Sequence, residues 1–191
     1  MIYIILVLVL IALSFFIDKS FSTFVFGFRF NALNIFLKYA YLILKDYLLL
    51  IFTSLLLYLS DKKKVLSAIL AFLTTGFVIL ILKYFINRLR PFEVLENAKL
   101  NGFDYGFMFF NTSFPSWHTA AAFSMLPFVF SVDKRLGYFW IFICILVGSV
   151  RVYAGFHYLS DVLFGGLMGY VIGYLFLRYS GVILRYFLSS F

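Results

Sequence analysis

The chain has 191 residues, 64% of them hydrophobic and only 13% charged, with a formal net charge of +8. Soluble domains average about 45–50% apolar and about 25% charged residues, so this composition excludes an ordinary soluble protein and indicates an integral membrane protein. The basic residues flank apolar runs, which points to anionic lipid or lipid phosphate as the partner and away from nucleic acid.

In chain order, residues 1–17 form an apolar run that lacks a basic start and a small-residue cleavage site, so it reads as a retained membrane helix and not a signal peptide. Residues 18–40 mix phenylalanines with Lys19, Arg29 and Lys38, the pattern of a short interfacial segment. At about 20 apolar residues per span, five more helices are expected, over residues 41–60, 65–88, 116–132, 136–153 and 158–179. The predicted fold is therefore all-α: six transmembrane helices in a compact bundle, one membrane-embedded domain over residues 1–191. Cys144 is the single cysteine and lies inside an apolar run, so no intrachain disulfide exists and the thiol reads as inert.

The short loops set the orientation. Asp61-Lys62-Lys63-Lys64 and Asp133-Lys134-Arg135 fall on one side of such a bundle, together with Arg178 and Arg185. The positive-inside rule makes that side cytoplasmic. This predicts a multi-pass protein of the cytoplasmic (inner) membrane, with the loop at residues 91–115 and the turn at residues 151–157 facing outward. The cations of the 18–40 segment, on the outer side, run against that orientation. The loop stretch NGFDYGFMFFNTSF is rich in aromatic residues and suits either interfacial anchoring or a lid.

Three polar clusters then converge on that outer face. In KYFINRLRP, Lys83 and Arg90 are two helical turns apart and Pro91 follows where a helix is expected to end. Snorkelling cations at a helix end are the bland alternative. In FPSWHTAAAF, Ser116 is a candidate N-cap and His118 falls in the first turn, where free N–H groups and the helix dipole favour an anion; an ordinary cap with an interfacial histidine is the competing reading. In SVRVYAGFHYLSD, His157 and Asp161 are one turn apart, so the carboxylate can accept a hydrogen bond from the ring and fix its tautomer. Arg151 offers a planar fork suited to phosphate, although a structural Arg–Asp ion pair would use the same residues. Both histidines of the chain fall in these clusters. Two histidines and a carboxylate among three cations make a poor metal site, whereas a phosphoryl group needs this surrounding charge, a nucleophile and an acid.

The three motifs resemble those of the type 2 phosphatidic acid phosphatases, the PAP2 superfamily, whose pattern is K-x6-R-P, P-S-G-H and S-R-x5-H-x3-D. Here they read Lys83-x6-Arg90-Pro91, Pro115-Ser116-Trp117-His118 and Arg151-x5-His157-x3-Asp161. The resemblance implies a metal-independent membrane lipid phosphatase with no cofactor. By it, His157 is the nucleophile that forms a phosphohistidine, Asp161 supports it, and His118 is the acid and then the base. Lys83, Arg90, Arg151, Ser116 and the Trp117 amide would hold the phosphoryl oxygens. The implied substrate is a lipid phosphate or diphosphate, such as phosphatidylglycerol phosphate, phosphatidate, undecaprenyl diphosphate or lipid A 1-phosphate. A phosphotransferase using the same phosphohistidine is the alternative, and an anion transporter the rival from another class. Two positions depart from the pattern: Trp117 replaces glycine and is expected either to narrow the phosphate pocket or, the preferred reading, to press on the lipid's glycerol or isoprenyl part, and Val150 replaces serine.

Overall fold

The computed structural model describes residues 2–100, 103–104 and 112–189, and these are helical throughout their apolar runs with no strand among them. The helices are α1 (Ile2–Gly27), α2 (Asn31–Ile43), α3 (Asp46–Ser60), α4 (Val65–Ile86), the single turn α5 (Pro91–Val94), α6 (Trp117–Phe130), α7 (Lys134–Tyr153), α8 (Leu159–Arg178) and α9 (Ser180–Ser189). Large apolar side chains such as Phe16, Leu59, Phe77 and Phe142 point outward. In water that would be a liability; against lipid tails it is the expected outer surface.

The expected helix pattern is altered in three places. The first concerns residues 18–40, expected as one interfacial segment. Residues 18–27 instead finish α1, because Asp18 is fully buried and held by Arg88, just after α4, and by Ser160 of α8, so the charge does not end the span. The remainder opens α2, which bends 58° from α3.

The second concerns the count of spans. Four stretches, Leu8–Gly27, Lys62–Val94, Lys134–Tyr153 and Leu159–Arg178, are long and apolar enough to cross a membrane, and the bent α2–α3 pair raises the number to five. The region expected as a fourth span, α6, has 14 residues and therefore rises about 21 Å, short of a hydrocarbon core of about 30 Å. Burial accounts for this: most of α6 is enclosed by α3, α4, α7 and α8, so its length answers to the protein interior. Ten residues beyond α8 form a further helix, α9, that the hydropathy pattern does not separate from its neighbour.

The third is the end of α4, expected at residue 88. Asn87 adopts a left-handed conformation (φ 41°, ψ 47°) and stops the helix at Ile86, its N–H still bonding the Lys83 carbonyl. Pro91 then starts α5, with Glu93 accepting the Arg90 N–H at 2.7 Å. Lys83 and Arg90 therefore do not share a helical face. A tight turn brings them to the same place.

The closest helix contact is between α6 and α8. Gly165, Gly169 and Gly173 of α8 lie directly on the α6 backbone: a Cβ at these positions would stand 2.6, 2.0 and 2.1 Å from the carbonyl oxygens of Ser116, Ala120 and Ser124. Small residues at four-residue spacing allow this approach where helix pairing depends on close packing. At the far end, Lys64 Nζ reaches Ser131 Oγ at 3.3 Å, Asp133 caps α7 by accepting the Arg135 and Leu136 N–H groups, and α9 packs on the lysine turn. The basic loops thus gather at one end of the bundle and the polar motifs at the other.

Replacing Gly169 with alanine should force α6 and α8 apart, because the clash is with backbone. We expect a loss of about 1–3 kcal/mol, read as a lower unfolding midpoint in detergent. Gly181→Ala, in open space, should leave the midpoint unchanged, and equal midpoints for both variants would contradict this packing.

Candidate active site

His157 sits in the turn between α7 and α8. Gly155 makes that turn with φ +76°, and its open side faces the Ala98 carbonyl, which a Cβ would approach to 2.6 Å. The Phe156 and His157 N–H groups both bond the Arg151 carbonyl, at 3.0 and 3.2 Å, closing the chain back on the end of α7. The imidazole is almost fully buried, and its Nδ1 lies 2.6 Å from the Ser113 carbonyl oxygen. A carbonyl can only accept, so Nδ1 carries the proton and Nε2 presents its lone pair.

The sequence spacing assigned that orienting role to Asp161. Its carboxylate is 3.7 Å from Nδ1, too long for a hydrogen bond. The reason is that Asp161 is also the third residue of α8 and accepts the Tyr158 N–H at 2.8 Å, while its other oxygen takes the Arg88 guanidinium at 2.7 Å. Asp161 is therefore an electrostatic neighbour of the ring, and the carbonyl before Phe114 does the orienting. Burial, then the charges of Arg90, Lys83 and Arg151, push the His157 ring well below the usual imidazole range. At neutral pH the ring is uncharged and its Nε2 lone pair is unprotonated.

Three cations surround it. Lys83, at the last turn of α4, donates to the Thr112 carbonyl at 2.7 Å. Arg90 donates to the Phe156 carbonyl at 3.1 Å. Arg151, at the last turn of α7, stacks over Tyr41 at 4.7 Å, and its buried Nε meets no acceptor among the described residues. Buried N–H groups are seldom left so, and a phosphoryl oxygen is a fitting acceptor.

Ser116 precedes α6 as expected, but its hydroxyl pairs with Thr119 Oγ1 at 3.0 Å and makes no capping bond. Its N–H bonds the Asp161 carbonyl at 3.0 Å, which ties the second motif to the third. The first turn of α6 keeps uncapped N–H groups for an anion. His118 is half-buried, with Nε2 3.7 Å from Asp46 Oδ1. Trp117, expected against lipid, turns inward. Its ring packs edge-on to Phe72 at 5.1 Å and 3.2 Å from where Gly76 would carry a Cβ, and Nε1 donates to Asp46 Oδ2 at 2.5 Å. Gly76 supplies the room that the family's glycine gives at position 117.

Five residues outside the motif positions complete this region: Asp18, Asp46, Arg88, Ser113 and Ser160. Arg88 bridges Asp18 (2.8 Å) and Asp161 (2.7 Å), and the Ser160 N–H and hydroxyl both donate to Asp18. Asp18 and Asp46 each had a signal, a carboxylate bordering an apolar helix that must find a partner. Ser113 had none, because it acts through its backbone. Most of the aromatic loop, residues 101–102 and 105–111, lies outside the described residues.

Residues 64–184 match the PAP2 superfamily. The chain belongs to that superfamily. It is 31% identical over 110 residues to the bacitracin transport permease protein BcrC of Bacillus licheniformis, and 32% identical over 73 residues to the undecaprenyl-diphosphatase BcrC of Bacillus subtilis. Those matches cover 57% and 38% of this chain, and 52% and 38% of the relatives, so the chain spans about half or less of the curated relatives it matches. Among solved structures, LpxE of Aquifex aeolicus is similar with a TM-score of 0.74 and 28% identity, over 85% of this chain and 96% of that one. A PAP2-type phosphatidylglycerolphosphate phosphatase of B. subtilis shares the fold with a TM-score of 0.73 and 24% identity, over 94% of both chains. This PAP2 protein is thus a multi-pass membrane protein with the family's three motifs gathered at one end of its bundle.

Arg88→Ala would leave the Asp18 and Asp161 carboxylates without their guanidinium. We expect a loss of about 1.5–3 kcal/mol of stability in detergent, partly restored in Arg88→Lys. An unchanged unfolding midpoint would show that the bridge carries no stability.

Proposed function

We propose that this protein is a metal-independent membrane phosphatase acting on a lipid phosphate monoester or diphosphate through a phosphohistidine. One observation carries the reading: a neutral His157, its Nδ1 proton held by the Ser113 carbonyl, stands among Lys83, Arg90 and Arg151. In the proposed reaction Nε2 attacks phosphorus, the bond to the leaving oxygen breaks, and His118 gives that oxygen its proton. Ser113 and Asp161 stabilise the ring as it becomes cationic. Water then loses a proton to His118 and attacks phosphorus, the P–N bond breaks, and inorganic phosphate leaves. The cations, with the Ser116 hydroxyl and the amides of Trp117 and its neighbours, bind the phosphoryl oxygens at both stages. The same cations argue against a divalent metal, which they would repel.

A lipid substrate is supported by two features. The site lies at the end of an apolar bundle, where headgroups are concentrated. An apolar groove of about 760 Å³, lined by residues including Phe21, Val25, Leu33, Gly148 and Tyr170, reaches the level of Val152 and Leu159 beside the catalytic turn. The relative described as an undecaprenyl-diphosphatase makes a polyprenyl diphosphate the first substrate to test, followed by phosphatidylglycerol phosphate, phosphatidate and lipid A 1-phosphate. The lysine-rich loops at the opposite end support an outward-facing site in the cytoplasmic (inner) membrane. The six-span, single-domain reading then has α6 crossing as a short helix sheathed by its neighbours.

The test is phosphate release from purified lipid phosphates and diphosphates in mixed micelles containing EDTA. We expect free inorganic phosphate from at least one lipid, unaffected by chelation, and a loss on the order of 10³-fold or more in His157→Ala. A phosphorylated acceptor in place of free phosphate would favour the phosphotransferase. Activity abolished by EDTA and restored by a divalent metal would contradict the mechanism.

A further inference from the structure

The acid of this reaction has an unassigned neighbour. Asp46 lies outside all three motifs, at the first residue of α3, just past the bend from α2. One of its oxygens is pinned by the Trp117 indole N–H at 2.5 Å, and the other faces His118 Nε2 at 3.7 Å. Burial first, and then the positive charges of Arg151, Lys45 and Arg90, oppose a proton on the His118 ring, whereas the Asp46 carboxylate favours one. Lys83 and Asp161 face His157 instead. A general acid embedded among phosphate-binding cations faces a conflict, since the charge that holds the substrate also expels the proton the leaving group needs. Asp46 offsets that conflict locally.

We propose that Asp46 is a positioning residue that favours the protonated His118 ring needed for leaving-group departure, and that Trp117, through its indole N–H, holds Asp46 in place. The assignment rests on the hydrolase reading above. It also accounts for Trp117 standing where the family pattern has glycine: the ring occupies the space left by Gly76, lies edge-on against Phe72, and aims its single donor at the carboxylate. Backbone N–H groups at the start of α6 remain free for phosphate, so the bulky residue need not displace the substrate.

The proton balance supplies the test. When the phosphorus–oxygen bond breaks, an alkoxide must take the His118 proton, whereas p-nitrophenolate leaves without one. The ratio kcat/KM covers only the steps up to that departure, so the later hydrolysis of the phosphohistidine does not enter. We would measure it for octyl phosphate and p-nitrophenyl phosphate with the full-length protein in detergent. Asp46→Asn, which keeps shape and can still accept from Trp117, should lower kcat/KM for octyl phosphate by about 10–100-fold and for p-nitrophenyl phosphate by less than about 3-fold. Trp117→Phe, which keeps the ring packing and removes the donor, should show the same selectivity with a smaller loss, and gives an independent reading if Asp46→Asn does not fold. Equal losses on the two esters, or no loss on either, would overturn the assignment while leaving the hydrolase reading intact. Wild-type protein that releases phosphate from neither the esters nor the lipid panel would overturn both.

Discussion

Backbone contact between α6 and α8 underlies the arrangement of the whole site. Three glycines on α8 let two helices touch without intervening side chains, and the contact begins where both helices begin. The Ser116 N–H bonds the Asp161 carbonyl, so the start of α6 and the start of α8 are fixed relative to each other by a hydrogen bond. His118 is carried by the first helix and His157 precedes the second. Their relation is therefore set by rigid elements, as a two-histidine mechanism requires. Helices α3, α4 and α7 pack against this pair: α4 and α7 deliver Lys83 and Arg151 from their last turns, and α3 delivers Asp46 from its first.

Charge balance is the second constraint. Lys83, Arg90 and Arg151 are gathered, each buried, at one end of the bundle, with the phosphoryl group proposed as their counter-ion. Without nearby carboxylates such a cluster would be costly. Asp18 and Asp161 share Arg88, so both carboxylates are paired directly with a residue other than these three cations. Asp161 still stands 3.7 Å from His157, close enough to stabilise the positive charge that the proposed phosphorylation would place on the ring. Asp46 stands in the same relation to His118. Each histidine thus has a carboxylate that is itself held by another donor, Arg88 in one case and Trp117 in the other.

Much of this was legible in the sequence for a physical reason. In a chain dominated by apolar residues, each ionisable group near the membrane must be compensated, so the spacing of Lys83, Arg90, His118, Arg151, His157 and Asp161 was conspicuous. What escaped was structure set by backbone. The Ser113 carbonyl that orients His157 has no side-chain signature, and the i, i+4 spacing pointed to Asp161, whose carboxylate is claimed by Tyr158 and Arg88. Hydropathy alone could not show that Asp18 is buried inside a continuous α1, or that Asn87 ends α4 before Arg88. The inward turn of Trp117 depends on Gly76, more than forty residues away. The four-residue spacing of Gly165, Gly169 and Gly173 was present in the sequence, and it carried the helix contact on which the site depends.

The most direct measurement of the central claim is the covalent intermediate. Protein quenched with acid-free denaturant during turnover of a 32P-labelled lipid phosphate should retain label that is stable to alkali and released by acid. Peptide mapping should place that label on His157. Label on His118 would reverse the assigned roles of the two histidines. A productive turnover that leaves no labelled protein, under conditions where a control phosphohistidine survives the quench, would contradict the covalent mechanism.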